Sequence, residues 1–124
     1  MKVVVTAQVK ATEDAEKVAR AVLNIFPDAR IDRREGEIFA SAASLDRFAE
    51  LLEEQRIRDS ARAKLLHSRK GGDMVFSLNK QAAFAGKVSF GERSPLGDIE
   101  VRVEAEDPEG LVDMVAPSTK RRPV

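Results

Sequence analysis

The sequence predicts an α+β fold: a single, mostly antiparallel sheet with helices packed on one face. Three observations point there. Ile99, Val101, Val103 and Ala105 alternate with Glu100, Arg102, Glu104 and Glu106, the pattern of a strand with one face in the core and the other in water. Two stretches, 13–26 and 45–68, carry apolar residues at helical spacing. Strands and helices are interspersed, with a strand hairpin early and long helices in the middle, which suits helices layered on a sheet.

The first strand runs over residues 3–9, where Val3, Val5, Ala7 and Val9 share a face opposite Thr6 and Gln8. Thr12 reads as the N-cap of the first helix, with Glu13, Asp14 and Glu16 complementing the helix dipole. Pro27 stops that helix. Ala29–Arg33 and Glu37–Ala42 flank a short turn around Gly36 and read as a hairpin. Ser44 reads as the cap of the next helix, which buries Leu45, Phe48, Leu51 and Leu52. A second apolar stripe, Ile57, Ala61 and Leu65, is rotated from the first, so a break is expected near Gln55 to Ile57.

Gly71-Gly72 reads as the end of this helical region. A strand is expected at 74–78, a brief helix at 82–85 between Asn79 and Gly86, and a short strand at 88–90. The stretch "ERSPLGD" reads as a loop before the strand at 98–106. Asp107-Pro108 is an N-cap and N1 pair opening a final helix through Val115, which Pro117 ends. Residues 1–117 therefore read as one domain, with 118–124 as a frayed basic tail.

The 124 residues suit one domain, and a 43% hydrophobic content suits an ordinary core. With six Phe, no Trp and no Tyr, that core must be mainly aliphatic. The absence of Cys excludes disulfides, thiolate chemistry and cysteine metal sites. No secretory pattern opens the chain and no apolar run is long enough to span a bilayer, which points to a cytoplasmic protein without a membrane partner.

Net charge is zero but unevenly spread. Residues 1–54 carry 8 basic and 11 acidic side chains, residues 55–91 carry 8 and 2, and residues 92–124 carry 5 and 8. The middle block is thus a basic region in a neutral chain. Within it, Met74 to Gly91 contains no acid at all.

The stretches "EEQRIRDSARAKLL", "FSLNKQAAFAGKVSF" and "SPLGDI" together resemble the archaeal uncharacterised protein family 0201. The resemblance covers nearly the whole chain, and "LNKQAA" followed by Gly86-Lys87-Val88 is its most specific part. It implies the fold of the fifth ribosomal protein of the large subunit, predicted RNA binding and association with an RNA-processing complex, the exosome. The positions carrying the family pattern are Gln55, Arg56, Ile57, Asp59, Ala61 and Arg62, then Asn79, Lys80, Gln81 and Gly86. The chain departs from the pattern at Asp98 and Ala11, where Pro is usual. Both are loop or cap positions and leave the fold expectation intact.

Two groups of residues are candidates for binding phosphate. Arg56, Arg58, Arg62, Lys64, Arg69 and Lys70 belong to a basic helix over 56–70, and Arg58, Arg62 and Arg69 fall near one line on an ideal helix. A basic solvated face explains the same residues, with Glu54 and Asp59 pairing with Arg58 and Arg62. Asn79, Lys80 and Gln81 form a capped helix start whose free N–H groups suit an anion, with Lys87 nearby. Capping alone also accounts for Asn79, and tight packing for the alanines.

Catalysis has little support. His67 is the only histidine, no nucleophile triad or pair of zinc ligands can be assembled, and nothing specifies a carboxylate Mg²⁺ site. No cofactor is implied. Phe76, Phe84 and Phe90 read as core and not as a stacking platform, so an RNA partner would be structured and read through phosphates and 2′-hydroxyls. The leading expectation is a non-enzymatic RNA-binding module. The alternative is a homodimeric or complex-forming interaction module, using the acid-free surface at 82–90.

Overall fold

A computed structural model describes residues 1–91 and 98–119. The elements run β1 (Lys2–Gln8), α1 (Ala15–Ile25), β2 (Arg30–Arg34), β3 (Glu37–Ala42), α2 (Asp46–Glu54), α3 (Arg58–His67), β4 (Arg69–Lys70), β5 (Asp73–Leu78), α4 (Lys80–Phe84), β6 (Ile99–Glu104) and α5 (Pro108–Val115). The strands form one sheet in the order β2-β3-β1-β6-β5-β4. Every neighbouring pair is antiparallel. The expected α+β architecture is what the chain adopts.

Alternation fixes the two faces of this sheet. Val5 aligns with Ala40 on one side and Val101 on the other, and Val101 with Phe76. All four are buried beneath the helices. The next row, Thr6 with Phe39 and Glu100, lies on the open face. There the Arg34 guanidinium sits 4.6 Å from the centre of the half-buried Phe39 ring, a cation–π contact.

Phe48 of α2 anchors the core. Its ring centre lies 6.2 Å from Phe26, 5.8 Å from Phe76 and 6.5 Å from Phe90. Most of the few aromatics are therefore gathered at one point under the sheet, as expected of Phe76 and Phe90; Phe84 packs half-buried against the same core.

The break between α2 and α3 falls where the rotated stripes place it. Arg56 donates its backbone N–H to Glu53 O at 3.0 Å, and Ile57 donates to Leu52 O at 3.0 Å. This is the Schellman pattern, with Arg56 at the left-handed position (φ 57). The end of α4 repeats it with Gly86 (φ 72) in the same place: Gly86 donates to Ala83 O and Lys87 to Ala82 O.

Several local expectations are corrected. Asp14, not Thr12, caps α1, its carboxylate accepting from Glu16 N at 2.9 Å. Ser44 Oγ accepts from Asp46 N at 3.1 Å, yet the N-cap position itself is Leu45. The helical region ends at His67, and Gly71-Gly72 instead turns the unexpected two-residue β4 into β5. Residues 88–90 form no strand; Phe90 makes a single bridge to Leu78. The loop expected at 92–98 lies mostly outside the described residues, as does the end of the basic tail. The sheet leaves two edges open: β2 on one side, and β4 on the other.

Candidate nucleic-acid interface

The acid-free window is a packed segment held from outside by polar side chains. Asn79 caps α4 as expected, its Oδ1 accepting from Ala82 N at 2.9 Å. The Gln55 amide forms a closed pair with one peptide unit: Nε2 donates to Val88 O and Oε1 accepts from Val88 N, both at 2.8 Å. Asn24 Nδ2 donates to Ala83 O at 2.9 Å. These bonds satisfy backbone groups that a short helix and an irregular turn leave unpaired.

Lys80 does not offer its charge to solvent. Only 3% of it is exposed, and Nζ donates to Gln8 O at 2.7 Å and to the Glu13 carboxylate at 3.2 and 3.4 Å. The expectation that Lys80 reaches a phosphate is therefore corrected: its side chain straps the start of α4 to the end of β1 and to the loop that follows it. The strap depends on Glu13, which also accepts from Lys10 N at 3.0 Å. Burial pushes the Glu13 carboxyl up, but the Lys10 N–H and the Lys80 ammonium outweigh it and hold its pKa below the ordinary glutamate value.

A group with a depressed folded-state pKa contributes stability above its unfolded value and loses it as pH falls through the folded value. Wild type should therefore lose stability on acidification through this carboxylate. Glu13→Gln should lose less between neutral pH and about pH 3, measured by urea unfolding at both. An equal loss in both proteins would show that Glu13 does not carry this part of the pH dependence.

The line of Arg58, Arg62 and Arg69 meets acids of neighbouring helices. Arg62 pairs with Asp113 at 2.6 Å, and Arg69, which belongs to β4 and not to the helix, pairs with Glu109 at 2.7 Å. Half-buried Arg58 lines a hollow with Asp46, Glu50 and Glu53. Neither of the expected pairings on the helix forms: Glu54 pairs with Arg47, and Asp59 accepts from Thr119 N. The sequence shows the arginines' spacing but not that α5, 40 or more residues on, supplies acids to two of them.

The structure brings other residues together. Arg56 and Lys87 are exposed, and each directly follows a Schellman turn or sits in one. The Gln55–Val88 pair joins these two turns, so Arg56 and Lys87 flank one junction. Lys64 is exposed on the flank of α3 opposite Arg58 and Arg62, by the rotation of 100° per residue. Exposed Gln81 lies on α4, and Lys70 points to the open sheet face from β4. Among the described residues, Arg56, Lys64, Lys70 and Lys87 make no ion pair. The role of Gln55 as the joint was hidden in the sequence, because its partner is the backbone of Val88.

Among the described residues, no group of three or more His, Asp or Glu is placed to hold a metal ion, and no helix is long and apolar enough to cross a membrane.

Residues 2–105 match the model of a family described as RNA binding. The UPF0201 protein of Thermococcus onnurineus (strain NA1) is 42% identical over 123 residues, covering 94% of this chain and 91% of that protein. The UPF0200/UPF0201 protein of Archaeoglobus fulgidus is also 42% identical, over 97% of this chain, but this chain spans only 39% of its length. A solved UPF0201 protein from Methanococcus jannaschii superimposes with a TM-score of 0.89 at 37% identity, over 97% of this chain and 96% of that one. Agreement in sequence and in fold across nearly the full length of the chain means that it belongs to the UPF0201 family.

Proposed function

We propose that this chain is an RNA-binding module that contacts phosphates through Arg56, Lys64 and Lys87. The family description supports RNA as the partner. The observation that carries the choice of surface is Arg56 itself. A non-glycine residue in the left-handed region costs about 1 kcal/mol, and the equivalent turn at the end of α4 avoids this with Gly86. A cationic side chain kept where glycine would be more stable, exposed and without an acid partner among the described residues, is suited to an external anion. Phosphate contacts of this kind position the RNA backbone and carry no base information.

Arg56→Gly separates the two roles. It should leave stability unchanged or raise it by about 0.5–1 kcal/mol, while weakening binding of a structured RNA and flattening its log–log salt dependence by roughly one unit. Urea unfolding and RNA titration at several salt concentrations report the two effects. Unchanged RNA affinity and salt slope would remove Arg56 from the surface. RNA binding that is absent in wild type would remove the reading itself.

The A. fulgidus relative supports a second reading that is compatible with the first. Its name joins two families, and this chain accounts for 39% of its length. We infer that the fold also works beside a protein partner.

A further inference from the structure

The two exposed large apolar side chains among the described residues are Met1 (52%) and Met114 (79%). They line the same groove between α2 and α5, a hollow of about 320 Å³ floored by half-buried Ala49 and Leu111. The groove continues past Met114 into a second hollow of about 350 Å³ that reaches Pro117. A polar residue at position 114 would cost the fold nothing, since the side chain stands in water. Apolar side chains gathered on one exposed groove mark a place where another molecule docks, and methionine adapts to varied apolar partners.

Charge selects the occupant. The α2 wall carries Asp46, Glu50 and Glu53, at i, i+4 and i+7, against Arg58 at one end. Arg47 bonds Glu50 but divides its charge with Glu54. RNA phosphates would be repelled by this wall. A second copy of the chain docked across a twofold would set the same acids against themselves. An apolar surface flanked by cations fits.

We propose that the groove between α2 and α5 docks a basic amphipathic helix of a partner protein, with apolar residues over Met114 and Lys or Arg beside Asp46, Glu50 and Glu53. This surface is separate from Arg56, Lys64 and Lys87, and does not depend on the RNA reading.

The probe is a fluorescein-labelled peptide of about five helical turns, built from Leu and Lys with Leu on one face. A scrambled peptide of the same composition is the control. The patterned peptide should bind the full chain saturably at one site. Met114→Asp, and separately Glu50→Lys with Glu53→Lys, should each weaken it by about tenfold or more, whereas Lys64→Gln should leave it unchanged. All the altered side chains except Met114 are charged and exposed, and Met114 is itself in water, so unfolding curves should match wild type. The proposal is overturned by any of four results: no saturable binding, equal binding of the scrambled peptide, indifference to Met114→Asp, or a doubled mass in sedimentation that Met114→Asp halves.

Discussion

Lys80→Met is expected to lower the free energy of unfolding by about 3–5 kcal/mol, the range for removing one partner from a buried ion pair. Methionine replaces the apolar stem of Lys80 but leaves the Glu13 carboxylate and the Gln8 carbonyl without their donor. Glu13 is only 20% exposed, so water recovers little of that loss. In a small domain the same deficit should appear as a fall in Tm of more than 10 °C. Adding Glu13→Leu should return part of the stability, because an apolar pair tolerates burial where a lone charge does not. Where Lys80→Met remains folded, its RNA affinity and salt slope should equal those of wild type. A stability loss below about 1 kcal/mol would show the strap to be solvated in solution, and a flattened salt slope would return Lys80 to the RNA surface.

Neutralising Arg56, Lys64 and Lys87 together, each to Gln, is expected to reduce affinity for structured RNA by about a hundredfold near 0.1 M salt. The log–log slope should fall by roughly two to three units, as three fewer counterions are released. The loss should be similar across RNA sequences, because phosphate contacts are blind to base identity. The informative comparison is Arg62→Gln with Arg69→Gln. It removes nearly as much positive charge from the same block, but those guanidiniums already face Asp113 and Glu109. If the two variants weaken binding equally, overall charge governs the encounter and the assignment of a contacting surface fails.

The sheet was legible in the sequence because each of its principal strands keeps one dry face. Val3-Val5-Ala7, Met74-Phe76-Leu78 and Ile99-Val101-Val103 show this with no tertiary knowledge. The break at Arg56 was legible because two apolar stripes cannot share one straight helix. β4 was not, since two residues have no period. The cap of α1 is not decided by local sequence, because Thr12 and Asp14 are both good caps; Asp14 takes the role, while Glu13 between them turns toward Lys80, 67 residues away.

The candidate site was less legible for the same reason. Lys80, Arg62 and Arg69 look like surface cations from their neighbours in sequence. Each is neutralised by an acid that sequence distance conceals. What local pattern did reveal was the basic block and its missing acids. Cations without an ion pair among the described residues, Arg56, Lys64, Lys70 and Lys87 among them, emerge only once the paired ones are subtracted.

The two open edges of the sheet have a consequence for life in a crowded solution. An exposed strand edge invites a foreign strand to add on, which is how sheet proteins begin to aggregate. Here one edge is β2, "RIDRR", four of whose five residues are charged, and the other is β4, only two residues long and both of them cationic. An incoming strand would meet desolvated charge at the first edge and too short a ladder at the second. The sheet therefore ends in a way that resists runaway pairing, and the protein should remain dispersed at concentrations where a bare edge of the same length would seed fibres.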